Sequence, residues 1–177
     1  EITNFNQFQH VIVTSPEAMN HLIRVVTAHW PQWPEDQFIW VVGQTTALAF
    51  QKEFSNVRVI HKSGSVALIP VIQKALNYDA RVLVACGIGS GRQFQRLNQC
   101  LAKEVTFLEL YQTVPVCPTN DLTQVTHILH GSAACVKSFL ELNLSADHLI
   151  HIVTSDKAKS YLPLGSRYYE IKAPTVE

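Results

Sequence analysis

At 177 residues, 47% hydrophobic and 16% charged, the chain is long and apolar enough to bury a substantial core, which excludes intrinsic disorder. Fourteen basic residues balance fourteen acidic ones, so the net charge suggests neither a nucleic-acid surface nor a polybasic membrane patch. No apolar run approaches the roughly 20 residues that span a bilayer, and no signal-peptide pattern opens the chain, so a soluble cytoplasmic protein is expected.

Short β-rich runs alternate with amphipathic helical stretches along the chain. Strands are predicted at His10 to Thr14, Phe38 to Val42, Val57 to His61, Arg81 to Cys86, Val105 to Tyr111, Thr126 to His130, Leu149 to Val153 and Tyr168 to Lys172. Ser15-Pro16 reads as an N-cap and first turn for a helix with Leu22, Val25 and Val26 on its apolar stripe. A second stripe joins Val66, Leu68, Ile69, Ile72 and Leu76, with Pro70 expected to kink that helix or lie in its first turns. Phe94, Leu97 and Leu101 repeat the helical spacing. Strand alternating with helix implies a parallel α/β sheet covered on both faces.

In Arg81-Val-Leu-Val-Ala-Cys-Gly-Ile-Gly-Ser-Gly-Arg92 an apolar strand runs into a glycine turn that opens a helix. Bare N–H groups at such a turn favour an anionic ligand. The spacing Gly87-x-Gly89-x-Gly91 is one residue short of the dinucleotide fingerprint; a ligand-free tight turn is the alternative. After the longest strand, the proline-bearing segment Gln112 to Asp121 changes composition and marks a boundary, giving units 1–113 and 114–177. Five strands precede it and three follow, so the second unit is expected to be incomplete.

Thr14-Ser15, Gly43 to Thr46, Lys62 to Ser65, Gly87 to Gly91, Gly131-Ser132 and Thr154-Ser155 all follow predicted strands. In parallel sheets such loops share the ligand-binding edge. Singly, each Ser or Thr reads as a helix cap. As a set they suggest hydroxyl and N–H donors for a polyanion, lining an interdomain cleft poor in ionisable groups.

The order of these segments resembles the uroporphyrinogen-III synthase family. The residues that carry the resemblance are Val11-Ile-Val-Thr-Ser-Pro-Glu-Ala-Met19, Trp40-Val-Val-Gly-Gln-Thr-Thr-Ala47, Val82-Leu-Val-Ala-Cys-Gly87, Leu110-Tyr-Gln-Thr113 and Ile128-Leu-His-Gly-Ser132. The resemblance implies two flavodoxin-like parallel-sheet lobes with a cleft between them. It also implies cofactor-free, metal-free cyclisation of the carboxylate-rich linear tetrapyrrole hydroxymethylbilane, with loss of water through an azafulvene and inversion of the last ring. Tyr111 matches the family tyrosine that assists departure of the hydroxyl, with interdomain packing as its alternative. Ser15, Thr46 and Ser132 match cleft-lining hydroxyls, while Gly43 and Gly87 would let backbone approach the ligand or serve turn geometry alone. A monomer is expected.

The chain departs from the family in two places. Val153-Thr-Ser-Asp-Lys-Ala158 sets Asp156 and Lys157 where a small hydroxyl-bearing loop is usual, and Lys157 is read as solvated rather than carboxylate-bound. The chain opens on Glu1, and the family's first strand and helix are expected to be missing.

Other chemistry is weaker. His127-x-x-His130 and His148-x-x-His151 lie on predicted strands, where i, i+3 neighbours face opposite sides, so neither pair alone chelates a metal. Cys86, Cys100, Cys117 and Cys135 form no C-x-x-C pair and read as reduced thiols, with Cys86 a buried one. Trp30, Trp33 and Trp40, flanking Pro31 and Pro34, are expected to pack a connection over the sheet edge. Two rival functions are an S-adenosylmethionine-dependent methyltransferase, using the glycine turn with Glu109, and a non-catalytic binding module on the synthase scaffold.

Overall fold

The computed structural model describes residues 4–55, 57–99, 104–116, 122–142 and 147–171. The chain divides into two compact units, Glu1–Thr113 and Val114–Glu177.

The first unit is built on β1 (His10–Val13), β2 (Phe38–Val42), β3 (Val59–Lys62), β4 (Arg81–Gly87) and β5 (Glu104–Tyr111). They form a wholly parallel sheet in the order β3-β2-β1-β4-β5. Helices α1 (Pro16–Thr27) and α2 (Gln44–Glu53) cover one face, while α3 (Ser65–Ala75) and a 3-10 helix (Arg92–Gln99) cover the other. Strand β1 is therefore buried on both sides. Val11 and Val13 pack with Leu22, Val26 and Phe50, whereas Ile12 packs with Leu68, Ile72 and Phe94. Each fully buried aliphatic side chain of this kind contributes about 1.5–3 kcal/mol, which is why these strands read as unbroken apolar runs rather than alternating ones.

Local chemistry explains the covering elements. The Ser15 hydroxyl accepts the Ala18 N–H at 3.0 Å and Pro16 occupies the first helical position, so α1 starts where the sequence places it. Pro70 lies inside α3 rather than in its first turn, and has no N–H to offer the Val66 carbonyl. Val66, predicted on the apolar stripe, is 84% exposed, leaving Leu68, Ile69 and Ile72 to make the contact. The segment after the glycine turn is a 3-10 helix whose two buried anchors, Phe94 and Leu97, are three residues apart. At three residues per turn that spacing puts both on the sheet. Leu101 lies outside the described residues.

The tryptophans do not act as a group. Trp33 meets Phe5 and Phe50 edge-on at 4.9 and 5.1 Å. Trp40, in contrast to the expectation of an edge-packing residue, belongs to β2 itself and is buried against α3.

In the second unit β6 (His127–His130), β7 (Ile150–Val153) and β8 (Arg167–Glu170) form a parallel sheet in that order, with α4 (Ala133–Glu141) and α5 (Asp156–Lys159). Its core is small, centred on Val136, Val153 and Ala158. Lys172, the predicted end of the last strand, lies outside the described residues. Among the described residues no helix is long and apolar enough to cross a membrane.

One buried contact makes the first unit sensitive to acid. Trp40 Nε1 donates to His10 Nδ1 at 3.0 Å, and burial lowers the imidazole pKa to about 4. The unfolded chain therefore binds a proton that the folded chain refuses once the pH drops below about 6.5. Stability is fully present above that pH and is expected to fall by about 2 kcal/mol by pH 4, allowing for solvent screening. Urea unfolding followed by tryptophan fluorescence checks this, and the His10→Gln variant should lose most of the pH dependence.

Candidate functional site

In the first sheet, β1 lies between β2 and β4, so the chain leaves β1 in one direction and returns on its other side. That reversal makes a crevice at the carboxyl ends of β1 and β4. Parallel register pairs Val13 with Ala85, so the loops beginning at Ser15 and Gly87 emerge side by side.

Tyr111 reaches this crevice through an irregularity in β5. Cys86 pairs with Glu109, but Gly87 pairs with Tyr111, so one residue of β5 is extra at this point. A β-bulge re-aims the next side chain. Val105 and Phe107 pack on the α3 side, whereas Leu108, Leu110 and Tyr111 all pack on the α1 side. Without the extra residue, Tyr111 would alternate to the α3 side.

Once turned, the phenol is closely defined. Its Oη lies 2.9 Å from Ser15 Oγ. The His21 ring from α1 stacks on the tyrosine ring, with centroids 6.0 Å apart and 12° between planes. A Cβ at residue 87 would stand 2.8 Å from Tyr111 Cζ. Gly87 is thus required by the tyrosine ring, a reason that turn geometry alone does not supply.

The glycine turn differs from its expected form. Gly89 N–H is not bare: it donates to Glu109 Oε1 at 2.8 Å. The Ser90 N–H donates to the Gly87 carbonyl at 3.0 Å, and the Phe94 N–H to that of Gly91 at 2.9 Å. The turn leads into a 3-10 helix, and its own carboxylate already occupies the donor that an anion or nucleotide cofactor would use. Cys86 beneath it is fully buried, and burial, with a smaller push from Glu109, raises its thiol pKa against a hydrogen bond from Ser90. It is a core thiol rather than a nucleophile.

Gly43, with φ of 94°, caps α2 at the end of β2 in a conformation that favours glycine. Thr46 is turned into the core at 2% exposure, so the exposed hydroxyl of that loop belongs to Thr45. Two exposed cations also stand at this edge, Lys62 at the end of β3 and Arg92 directly after the glycine turn.

Ser132 belongs to the second unit, where its hydroxyl caps α4 by accepting the Cys135 N–H at 3.3 Å. Lys157 is exposed on α5. The histidine motifs pair across strands instead of along them. His130 Nε2 and His151 Nδ1 are 2.9 Å apart, and both are buried. Burial lowers both pKa values, and for His130 the neighbouring imidazole adds to the effect. Among the described residues, no group of three or more His, Cys, Asp and Glu is placed to hold a metal ion.

Ser15, Gly87 and Tyr111 are therefore brought together, Gly43 lies one strand away on the same edge, and Thr46 faces inward. Sequence reasoning missed His21 and the cross-strand histidines because their partners become neighbours only through the packing of α1 on the sheet and through strand pairing.

Gly87→Ala is expected to destabilise the fold by about 1–3 kcal/mol, because the new methyl overlaps the Tyr111 ring. Adding Tyr111→Ala should relieve part of that loss, giving a coupling of about 1 kcal/mol in urea unfolding. Additive effects would mean that the ring lies elsewhere.

The sequence model of one family, described as Uroporphyrinogen-III synthase HemD, matches residues 1–158. Among solved structures, the uroporphyrinogen III synthase of Thermus thermophilus is similar with a TM-score of 0.55 and 13% identity, over 94% of this chain and 73% of that one. At that identity the likeness shows the fold alone. No curated protein matches.

Proposed function

The chain belongs to the uroporphyrinogen-III synthase family, and from that premise we propose that it closes hydroxymethylbilane to uroporphyrinogen III, eliminating water and inverting the last ring without a cofactor. The observation that carries the reading is the Tyr111 phenol, held 2.9 Å from Ser15 Oγ at the sheet's topological crevice. Elimination needs a proton at the departing oxygen, and a phenol fixed at a ligand-binding edge is suited to provide it. The resulting azafulvene reacts readily, so the remaining task is to hold the chain while its last ring turns.

Binding would draw on groups spread along the same carboxyl edge of the sheet. Exposed Thr45, Lys62 and Arg92 offer one hydroxyl and two cations to a substrate rich in carboxylates. Gly43 keeps the α2 cap free of a side chain, and Ser132 supplies a hydroxyl at the corresponding edge of the second sheet. With Gly89 N–H already bonded to Glu109, the methyltransferase reading loses the donor on which it relied.

The test supplies freshly made hydroxymethylbilane and separates product isomers. The type III isomer should exceed the type I isomer that forms spontaneously; type I alone would leave the non-catalytic scaffold as the better reading. Tyr111→Phe is expected to slow formation of type III by about 10²–10⁴-fold, and unchanged turnover would remove the acid role. Arg92→Ala should raise KM severalfold with little change in kcat, the pattern expected when uniform binding is lost.

A further inference from the structure

Ser15 has two jobs at one oxygen. Its Oγ accepts the Ala18 N–H at 3.0 Å as the N-cap of α1, and the same Oγ lies 2.9 Å from Tyr111 Oη. A serine hydroxyl carries two acceptor lone pairs and one donor. The cap uses a lone pair, and the hydroxyl sits at the positive end of a 12-residue helix. Both effects draw electron density from the oxygen and make its hydrogen a better donor.

We infer that Ser15 is a positioning residue that donates its hydroxyl hydrogen to the Tyr111 oxygen, leaving the phenolic proton directed at the substrate. This rests on the proposed cyclisation. In the elimination step the phenol O–H bond breaks and its proton passes to the departing hydroxyl. The C–O bond breaks, its electron pair leaves with oxygen as water, and the pyrrole nitrogen lone pair fills the vacancy to give the protonated azafulvene. The phenolate left behind keeps the Ser15 hydrogen bond and regains its proton from the one that ring closure releases. The N-terminus of α1 thus stabilises, through one hydroxyl, the negative charge formed on Tyr111.

Three substitutions separate capping from donation. Ser15→Thr keeps both the cap and the hydroxyl. Ser15→Asp keeps the cap but offers only acceptors, so Tyr111 must turn its proton inward. Ser15→Ala loses both. With hydroxymethylbilane, kcat for the type III isomer should fall about 10–100-fold in the Asp and Ala variants and recover to within about threefold in the Thr variant. KM should change little in the Thr and Ala variants, while the added carboxylate of the Asp variant, repelling an acidic substrate, should raise it, so kcat at saturating substrate is the quantity compared. If Ser15 only caps the helix, the Asp variant will retain wild-type kcat, and the inference is overturned.

A second readout does not depend on turnover. The resonance Raman difference between the wild-type chain and Tyr111→Phe isolates the Tyr111 phenol, whose doublet ratio distinguishes an accepting oxygen from one that only donates. An accepting signature, lost in Ser15→Ala, is expected, whereas a donor-only signature in the wild type overturns the inference. Should the wild type make no type III isomer, the cyclisation reading fails and this spectrum still decides who donates to whom.

Discussion

The single extra residue in β5 is the constraint on which the site depends. It shifts the pairing so that Gly87 faces Tyr111 after Cys86 has faced Glu109, and it puts Leu110 and Tyr111 on the same side of the sheet. A strand that alternates without interruption would send the phenol toward Phe94 and Leu97, away from Ser15 and His21. The bulge also explains the glycine, since the redirected ring lies where a Cβ at residue 87 would be. Strand pairing, glycine and phenol form one mechanical unit.

Two ends of the chemistry are served by the same polar economy. Glu109, the last β5 residue paired before the extra one, reaches over the glycine turn and takes the Gly89 N–H. Ser15 takes the first donor of α1 and still meets the phenol. These two donors are therefore committed within the protein, and recognition of an acidic substrate by the glycine turn would draw on exposed side chains such as Arg92 beside it.

The strands were legible in the sequence because a parallel sheet buried on both faces demands runs such as His10-Val-Ile-Val13 and Phe38-Ile-Trp-Val-Val42. The Ser15 cap and Pro16 start of α1 were legible for equally local reasons. Thr45 and Thr46 are chemically alike, and only the rotation of α2 decides that Thr46 is the buried one. The 3-10 helix over Arg92–Gln99 is indistinguishable in the sequence from an ordinary helix, since Phe94 and Leu97 satisfy both periods. Nothing local announces the β5 bulge, the 21-residue separation that joins His130 to His151, or the 96-residue separation that joins Ser15 to Tyr111.

The most direct measurement of the central claim is an amide NMR titration of the chain with a linear tetrapyrrole lacking the terminal hydroxyl, so that it binds without reacting. The account predicts saturable shifts at Ser15 to Ala18, Gly87 to Gly91 and Tyr111, with smaller ones at Gly43 to Thr45. Saturable binding that leaves Ser15, Gly87 and Tyr111 unmoved while shifting residues at the opposite ends of these strands would contradict it.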